Sequence, residues 1–256
     1  MKMATPLATP AALATAPESH TLQREGERAA GRVGGLAIIF DMDGTMIDSM
    51  PWHAKAWVEF TRRRGMVIDV PDLMVRTTGR NGTECIRELL GREVSQDEAD
   101  ALTREKEDIY QALFAPQFAE VAGFRNFAAQ VRQRGVQVAV GTAGDAHNVQ
   151  FALQHLALEH VPPVIVRGDE GLRGKPHPDI FLEAARRVAA TPAHCIVFED
   201  APFGIEAARR AGMRAVGICT TNTPEELAGP HVITCVRDYN ELLQSNFLEN
   251  LHVAHA

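Results

Sequence analysis

Apolar positions along the chain fall into two alternating patterns. Leu36-Ala37-Ile38-Ile39-Phe40 is a continuous apolar run, as expected of a strand buried on both faces of a parallel sheet. Runs of the same kind recur at 136–140, 164–166, 195–198 and 215–218. Between them, apolar residues return at helical spacing. Phe124, Phe127, Ala128 and Val131 share one stripe ahead of Gly135, and Val149, Leu153 and Leu156 share a second, while 180–189 and 205–211 make two more. Strand alternating with helix predicts an α/β fold, a Rossmann-like doubly wound parallel sheet.

One stretch breaks the alternation. Between the first and second strands lie roughly 90 residues that read as helix throughout, far more than a crossover connection needs. Pro51 suits the first position of a helix ending near Gly65. Ser95-Gln96-Asp97-Glu98 reads as a capping box ahead of Ala99, Leu102, Ile109 and Leu113 on one face. The expectation is an inserted all-helical cap domain over 49–120, hinged on two chain passages. The α/β core then comprises 34–48 and 121–245, followed by a tail at 246–256. Residues 1–33 are rich in Ala, Thr and Pro and then polar, and are expected to be a flexible leader with no secretory apolar core.

Composition narrows the classes. Of 256 residues, 45% are hydrophobic and 23% charged, an ordinary globular balance with enough apolar surface for a sizeable core. Acids outnumber bases 33 to 26, for a formal net charge of -7, which argues against a surface built for nucleic acid. No run approaches the ~18 apolar residues that a membrane span needs. The four cysteines (Cys85, Cys195, Cys219, Cys235) lack the spacing of a zinc or redox pair. A cytoplasmic protein without membrane or nucleic-acid partners is expected. Oligomeric state is left open, a monomer being compatible.

The polar residues that follow the apolar runs carry the candidate chemistry, because open α/β sheets bind ligands at the carboxyl ends of their strands. Phe40-Asp41-Met42-Asp43-Gly44-Thr45 puts two carboxylates at that edge, where they can share a divalent cation and one phosphoryl group. Gly141-Thr142-Ala143-Gly144-Asp145 offers a hydroxyl and a helix start to a phosphate oxygen. Gly174-Lys175-Pro176-His177-Pro178 brackets a lysine in a stiff turn. Glu199 and Asp200 directly after a buried run are costly unless a cation meets them, and magnesium prefers such oxygen ligands. Taken singly, each has a plainer reading: Asp41, Asp43, Thr142, Asp145 and Asp200 as turn or helix-cap residues, and Lys175 as a solvated lysine.

Together, in this order, the four motifs resemble the haloacid dehalogenase-like superfamily, from about Gly34 to Leu243. The runs Gly-Lys-Pro-x-Pro-Asp-Ile-Phe at 174–181 and Phe-Glu-Asp-Ala-x-x-Gly-Ile-x-Ala-Ala at 198–208 carry the resemblance most specifically. The helical insert, opened by Ser49-Met50-Pro51-Trp52-His53 with Ala56-Trp57 beyond, is similar to the branch of β-phosphoglucomutases and sugar-phosphate phosphatases. The resemblance implies Asp41 as a nucleophile forming an aspartyl-phosphate and Asp43 as general acid/base. It implies Thr142 and Lys175 as holders of the phosphoryl group. Mg2+ would be bound by Asp41, the Asp43 backbone carbonyl and Asp200, with Glu199 nearby. In the cap, His53, Arg80 in the loop Gly79-Arg80-Asn81-Gly82, and Lys106 are candidate substrate contacts. Their plainer readings are a packed histidine, a solvated loop arginine and a solvated helical lysine. The expected function is a magnesium-dependent phosphatase of a small phosphorylated metabolite, a sugar phosphate. The alternatives are a β-phosphoglucomutase-type phosphotransferase, an inorganic pyrophosphatase, or a non-catalytic binding module.

Overall fold

The computed structural model describes residues 35–251. The leader expected at 1–33, and the tail beyond 251, lie outside the described residues. Six strands form one all-parallel sheet: β1 (Ala37–Phe40), β2 (Gln137–Gly141), β3 (Val164–Val166), β4 (Cys195–Glu199), β5 (Arg214–Ile218) and β6 (Val232–Val236). Their spatial order is β3-β2-β1-β4-β5-β6, so the winding direction reverses between β1 and β4. That reversal opens a crevice at the carboxyl edge of the sheet, directly beyond Phe40 and its registered neighbour Phe198.

Both faces of the sheet are buried, which is why its central strands read as unbroken apolar runs. On one face, Ile38 and Phe40 of β1 and Ile196 and Phe198 of β4 join an aromatic layer. The helices α5 (Phe124–Gln133) and α9 (Tyr239–Gln244) supply its other side. Phe40 meets Phe124 edge-on at 5.3 Å, and Phe127 lies 5.4 Å from Phe198 and 5.1 Å from Tyr239. On the opposite face, Ala37, Ile39, Cys195 and Val197 pack on α7 (Asp179–Arg187) and α8 (Pro202–Arg210) through small residues such as Ala184, Ala185, Ala207 and Ala208. Two further core helices are α6 (Ala146–Leu156), which starts just past the end of β2, and α10 (Phe247–Asn250), within the stretch expected as a tail, whose Phe247 and Leu248 join the aromatic layer.

Helices alone span the insert: α1 (Met50–Arg63), α2 (Val70–Thr77), α3 (Gly82–Leu90) and α4 (Gln96–Phe114), followed by a single 3₁₀ turn. The chain enters and leaves by adjacent passages, where Asp48 N–H donates to the Ala119 carbonyl at 3.0 Å and Val121 N–H to the Met46 carbonyl at 3.1 Å. Trp57, Phe60 and Phe114 continue the aromatic layer through Met42, Met46 and Ile47.

Two local expectations need correcting. Ser95 accepts from the Glu98 backbone at 3.2 Å, but the Glu98 carboxylate binds Arg92 at 2.6 Å, so that capping box is only half made. A charge-assisted pair outcompetes a bond to a neutral N–H. The complete box lies instead at Asn81 and Glu84, opening α3 inside the loop singled out for substrate. The sixth strand was missed because β6 is a half-buried edge strand containing Thr234, with no continuous apolar run.

The aromatic layer yields a stability prediction. Phe127 is fully buried on α5, packed against Phe40 and Phe198. Phe127→Ala should lower unfolding free energy by about 3–5 kcal/mol, read from urea denaturation midpoints. A loss below about 1 kcal/mol would show that neighbouring rings collapse into the space.

Candidate active site

β1 delivers Asp41 to the crevice: its N–H donates to the Phe198 carbonyl at 3.0 Å, extending the strand pairing by one step, and its side chain is buried. The chain then turns at once. Gly44 has φ of +76°, and a Cβ there would run into the Asp200 carboxylate, so glycine meets both the backbone angle and the space. Thr220 Oγ1 donates to the Gly44 carbonyl at 2.6 Å, and Asn222 Nδ2 to the Asp200 carbonyl at 2.8 Å. These residues follow β5 on the same sheet edge. Their place after an apolar run was the signal that sequence reasoning passed over.

Lys175, from the turn before α7, is buried with its Nζ 2.5 Å from Asp41 Oδ1 and 2.8 Å from Glu199 Oε1. The other oxygen of Glu199 accepts from the Ala201 N–H at 2.7 Å, so both are committed to the protein. Asp200 differs: its Oδ2 is buried and has no hydrogen-bond partner. Carboxylate oxygens of Asp41, Glu199 and Asp200 all lie within 4.8 Å of one another. Burial pushes the Asp41 carboxyl up to about 8 against the pull of Lys175, and the charge on Glu199 adds to the rise. Burial, then Glu199 and Asp41, also hold Asp200 well above the usual carboxylate range. Burial disfavours the charge on Lys175, yet Asp41 and Glu199 outweigh it and raise its pKa. Three buried carboxyls around one ammonium cannot all ionise without a further cation, and Asp200 keeps a free oxygen. A hard divalent cation such as Mg2+ fits that donor set.

The second aspartate of the motif is held from the cap side. Asp43 Oδ1 accepts from Ser49 Oγ at 2.7 Å and meets His53 Nε2 at 3.1 Å. Lys106 Nζ lies 2.6 Å from His53 Nδ1 and 3.0 Å from Glu107 Oε1, while the His53 ring stacks on Tyr110 at 3.8 Å. With the ammonium donating to Nδ1, the ring proton sits on Nε2 and is given to Asp43. Burial opposes ionisation of Asp43, but His53, Ser49 and Lys106 together hold its carboxyl below the usual range. Lys106 is therefore buried, not solvated as a helical lysine between two glutamates would suggest. Its neighbours in sequence do not reveal this, because the burial comes from α1 across the cap. Ser49 was read only as part of the cap's opening motif; its bond to Asp43 depends on the turn at Gly44.

A cavity of about 110 Å³ lies between cap and sheet edge, lined among others by Asp41, Asp43, His53, Arg80, Lys106, Thr142, Glu199 and Asp200. Lys175 lies behind Asp41 and Glu199. Thr142 is buried, its Oγ1 accepting from the Gly144 N–H at 3.0 Å, which leaves the hydroxyl proton to donate. Asp145 is the helix cap of the plainer reading, accepting from the Asn148 N–H at 2.9 Å. Arg80 sits at the rim, 3.3 Å from Glu88 and over the Phe203 ring at 5.5 Å. The cap rests on the core through Gln111 Nε2, which donates to Asn148 Oδ1 at 2.9 Å, and through the Gly174 N–H, 3.4 Å from Glu84 Oε1.

Comparison with known proteins agrees with this geometry. The chain is 35% identical over 194 residues to the fructose-1-phosphate phosphatase of Escherichia coli (strain K12), covering 75% of this chain and 97% of that protein. It is 32% identical over 192 residues to the β-phosphoglucomutase of Bacillus subtilis (strain 168), covering 71% and 82%. The crystal structure of a HAD hydrolase, family IA, variant 3, from Entamoeba histolytica HM-1:IMSS superposes with a TM-score of 0.73 at 30% identity, over 85% of this chain and 99% of that one. Residues 36–212 match the model of the haloacid dehalogenase-like hydrolases, from the first strand through the helix after Asp200. With family model, relatives and sheet topology in agreement, the chain belongs to the haloacid dehalogenase-like hydrolases.

Proposed function

We propose that the protein is a magnesium-dependent phosphatase that hydrolyses a small sugar phosphate through an aspartyl-phosphate on Asp41. The observation that carries this reading is the placing of two aspartates with opposite partners. Asp41 is bonded to the buried Lys175 at 2.5 Å beside the free oxygen of Asp200. Asp43, two residues on, is held by Ser49 and His53 of the cap side. Asp41, Asp200 and the Asp43 carbonyl would hold Mg2+, with Glu199 anchoring Lys175 beside them. Bound there, the ion supplies positive charge to the phosphoryl oxygens.

An Asp41 oxygen attacks phosphorus while the bond from phosphorus to the ester oxygen breaks. Asp43 gives its proton to that leaving oxygen. In the second step Asp43 takes a proton from water, whose oxygen attacks the phosphorus of the aspartyl-phosphate, and inorganic phosphate departs with the Asp41 carboxylate restored. Before substrate arrives, His53, Ser49 and Lys106 keep Asp43 ionised. The negative phosphoryl group opposes that charge as it enters, so the proton is taken up with the substrate. Lys175 and Thr142 donate to the phosphoryl oxygens, and the cap excludes bulk water. His53, Lys106 and Arg80 belong to the cap's contribution: the first two position Asp43, and Arg80 reaches the substrate from the rim.

The likeness to β-phosphoglucomutase favours a second reading, phosphoryl transfer between sugar positions. The measurement that separates the two is conversion of β-glucose 1-phosphate, primed with its bisphosphate, to glucose 6-phosphate. A phosphatase releases phosphate and forms no isomer.

Two further outcomes test the phosphatase reading directly. Asp41→Asn should lower turnover by at least about a thousandfold while far-UV circular dichroism stays unchanged, because nucleophile and metal ligand are lost together without disturbing the strand. A variant retaining a tenth or so of turnover would sink the covalent mechanism. EDTA should abolish phosphate release from a panel of sugar phosphates and phenyl phosphate, with Mg2+ restoring it; undiminished release would overturn the metal assignment.

A further inference from the structure

The cap half of the cavity contains two buried polar atoms that the proposed chemistry at phosphorus leaves unused. Glu107 lies beside Lys106 on α4 and is only 8% exposed. Its Oε1 accepts from Lys106, but Oε2 is buried without a well-formed hydrogen bond, His53 Nδ1 lying 3.8 Å away and the Asn148 side chain being the carboxyl's other polar neighbour. One turn earlier, Thr103 Oγ1 is likewise buried and unpartnered. Both residues line the cavity. Gly82 explains how the α3 backbone comes so close: a Cβ there would strike the Thr103 side chain. A buried oxygen without a partner is costly, and that cost persists in native structures mainly where another molecule supplies the missing bond.

The charges around these atoms restrict what that molecule is. Burial opposes ionisation of Glu107, but Lys106, His53 and the Asn148 side chain that reaches its carboxyl hold it below the usual range, so at neutral pH it only accepts hydrogen bonds. Its charge is already met by Lys106, so a neutral donor suits it better than a second cation. Arg80 and Lys106 are the lysine or arginine side chains lining the cavity among the described residues, and each is engaged, Arg80 with Glu88 and Lys106 with Glu107 and His53. A second phosphate deep in the cap half would meet the Glu107 carboxylate, with Lys106 already engaged and Arg80 lying at the rim. Sugar and polyol hydroxyls match: they are neutral, and each both donates and accepts.

We infer that Glu107 and Thr103 are specificity residues that read the hydroxyls of the leaving group, confining the site to monophosphate esters of neutral polyols or sugars. This rests on the phosphatase reading and adds to it the residues that select the released sugar or polyol. Glu107 Oε2 accepts a hydrogen bond from one hydroxyl, and Thr103 exchanges a hydrogen bond with a neighbouring hydroxyl.

The test measures kcat/KM for the full-length protein with Mg2+ on fructose 1-phosphate, glucose 6-phosphate, sorbitol 6-phosphate, fructose 1,6-bisphosphate and phenyl phosphate. Wild type should prefer the best of the three monophosphates over both phenyl phosphate and the bisphosphate by at least about tenfold. Glu107→Gln and, separately, Thr103→Val should each shrink the preference over phenyl phosphate by about tenfold, chiefly through KM. Thr103→Val should also leave the melting temperature unchanged or raised, because it removes an unpartnered buried hydroxyl. Equal losses on phenyl phosphate and on the monophosphate in both variants would overturn the inference, reducing Glu107 to a support for Lys106 and His53. A wild type without preference for any of the three monophosphates, or one favouring the bisphosphate, would overturn it too. No magnesium-dependent turnover even of phenyl phosphate would instead sink the phosphatase reading itself.

Discussion

Lys175 is the counter-ion on which the edge of this sheet depends, its ammonium buried between Asp41 and Glu199 at 2.5 and 2.8 Å. β1 and β4 end side by side, so their register places three carboxylates in one buried crevice. Without a cation these groups would repel and protonate, and removing one partner from such a cluster typically costs about 3–5 kcal/mol. The lysine cannot come from either strand, because their outward residues are the acids themselves. It comes from the turn before α7, and the aliphatic stem is buried with the charge, its Nζ 4.9 Å from the Phe181 ring. Glu199 spends both oxygens securing this arrangement, on Lys175 and on the Ala201 N–H, which leaves Asp200 as the acid with an oxygen to spare.

The two aspartates two positions apart therefore live in different surroundings. Asp41 belongs to the core, where burial pushes its carboxyl up to about 8. Asp43 faces the cap, where Ser49, His53 and Lys106 overcome the same burial and lower its pKa. These shifts belong to the site before cation and phosphoryl group arrive: a cation beside Asp41 would favour its ionised form and a phosphoryl group beside Asp43 its protonated form, which divides the two carboxyls. Here the division is coupled to the cap's position, because His53 and Lys106 sit on α1 and α4. Gln111 with Asn148, Glu84 with the Gly174 N–H, and Arg80 over Phe203 join cap to core beside the aromatic packing of Tyr110 and Phe114 on Phe151. The polar contacts among these break and re-form at little cost.

Five of the six strands were legible because a strand covered on both faces leaves an unbroken apolar run, as at 36–40 and 195–198. β6 left no such mark, since its outer side is exposed at Ile233. The residues proposed to act on phosphorus were legible for a related reason: each follows an apolar run directly, where a charge is costly without a purpose. The cap's contribution was harder to read. Lys106 sits between Glu105 and Glu107 on an amphipathic helix, and sequence alone cannot distinguish the glutamate that reaches Arg64 in part-exposed surroundings from the one that is buried with the lysine.

The sequence by itself thus determined the alternation of strand and helix, the place of the insert, and the set of acids, hydroxyl and lysine at the strand ends. These are local properties, set by periodicity and by what can follow a buried strand. Only the tertiary structure decided which oxygens are satisfied and which are left free. Whether Glu199 or Asp200 keeps an open oxygen, whether Lys106 is solvated or bonded to His53, and where Glu107 Oε2 ends without a well-formed hydrogen bond depend on groups brought together from distant parts of the chain. Hydrogen bonding acts over about 3 Å in space, whatever the separation along the sequence.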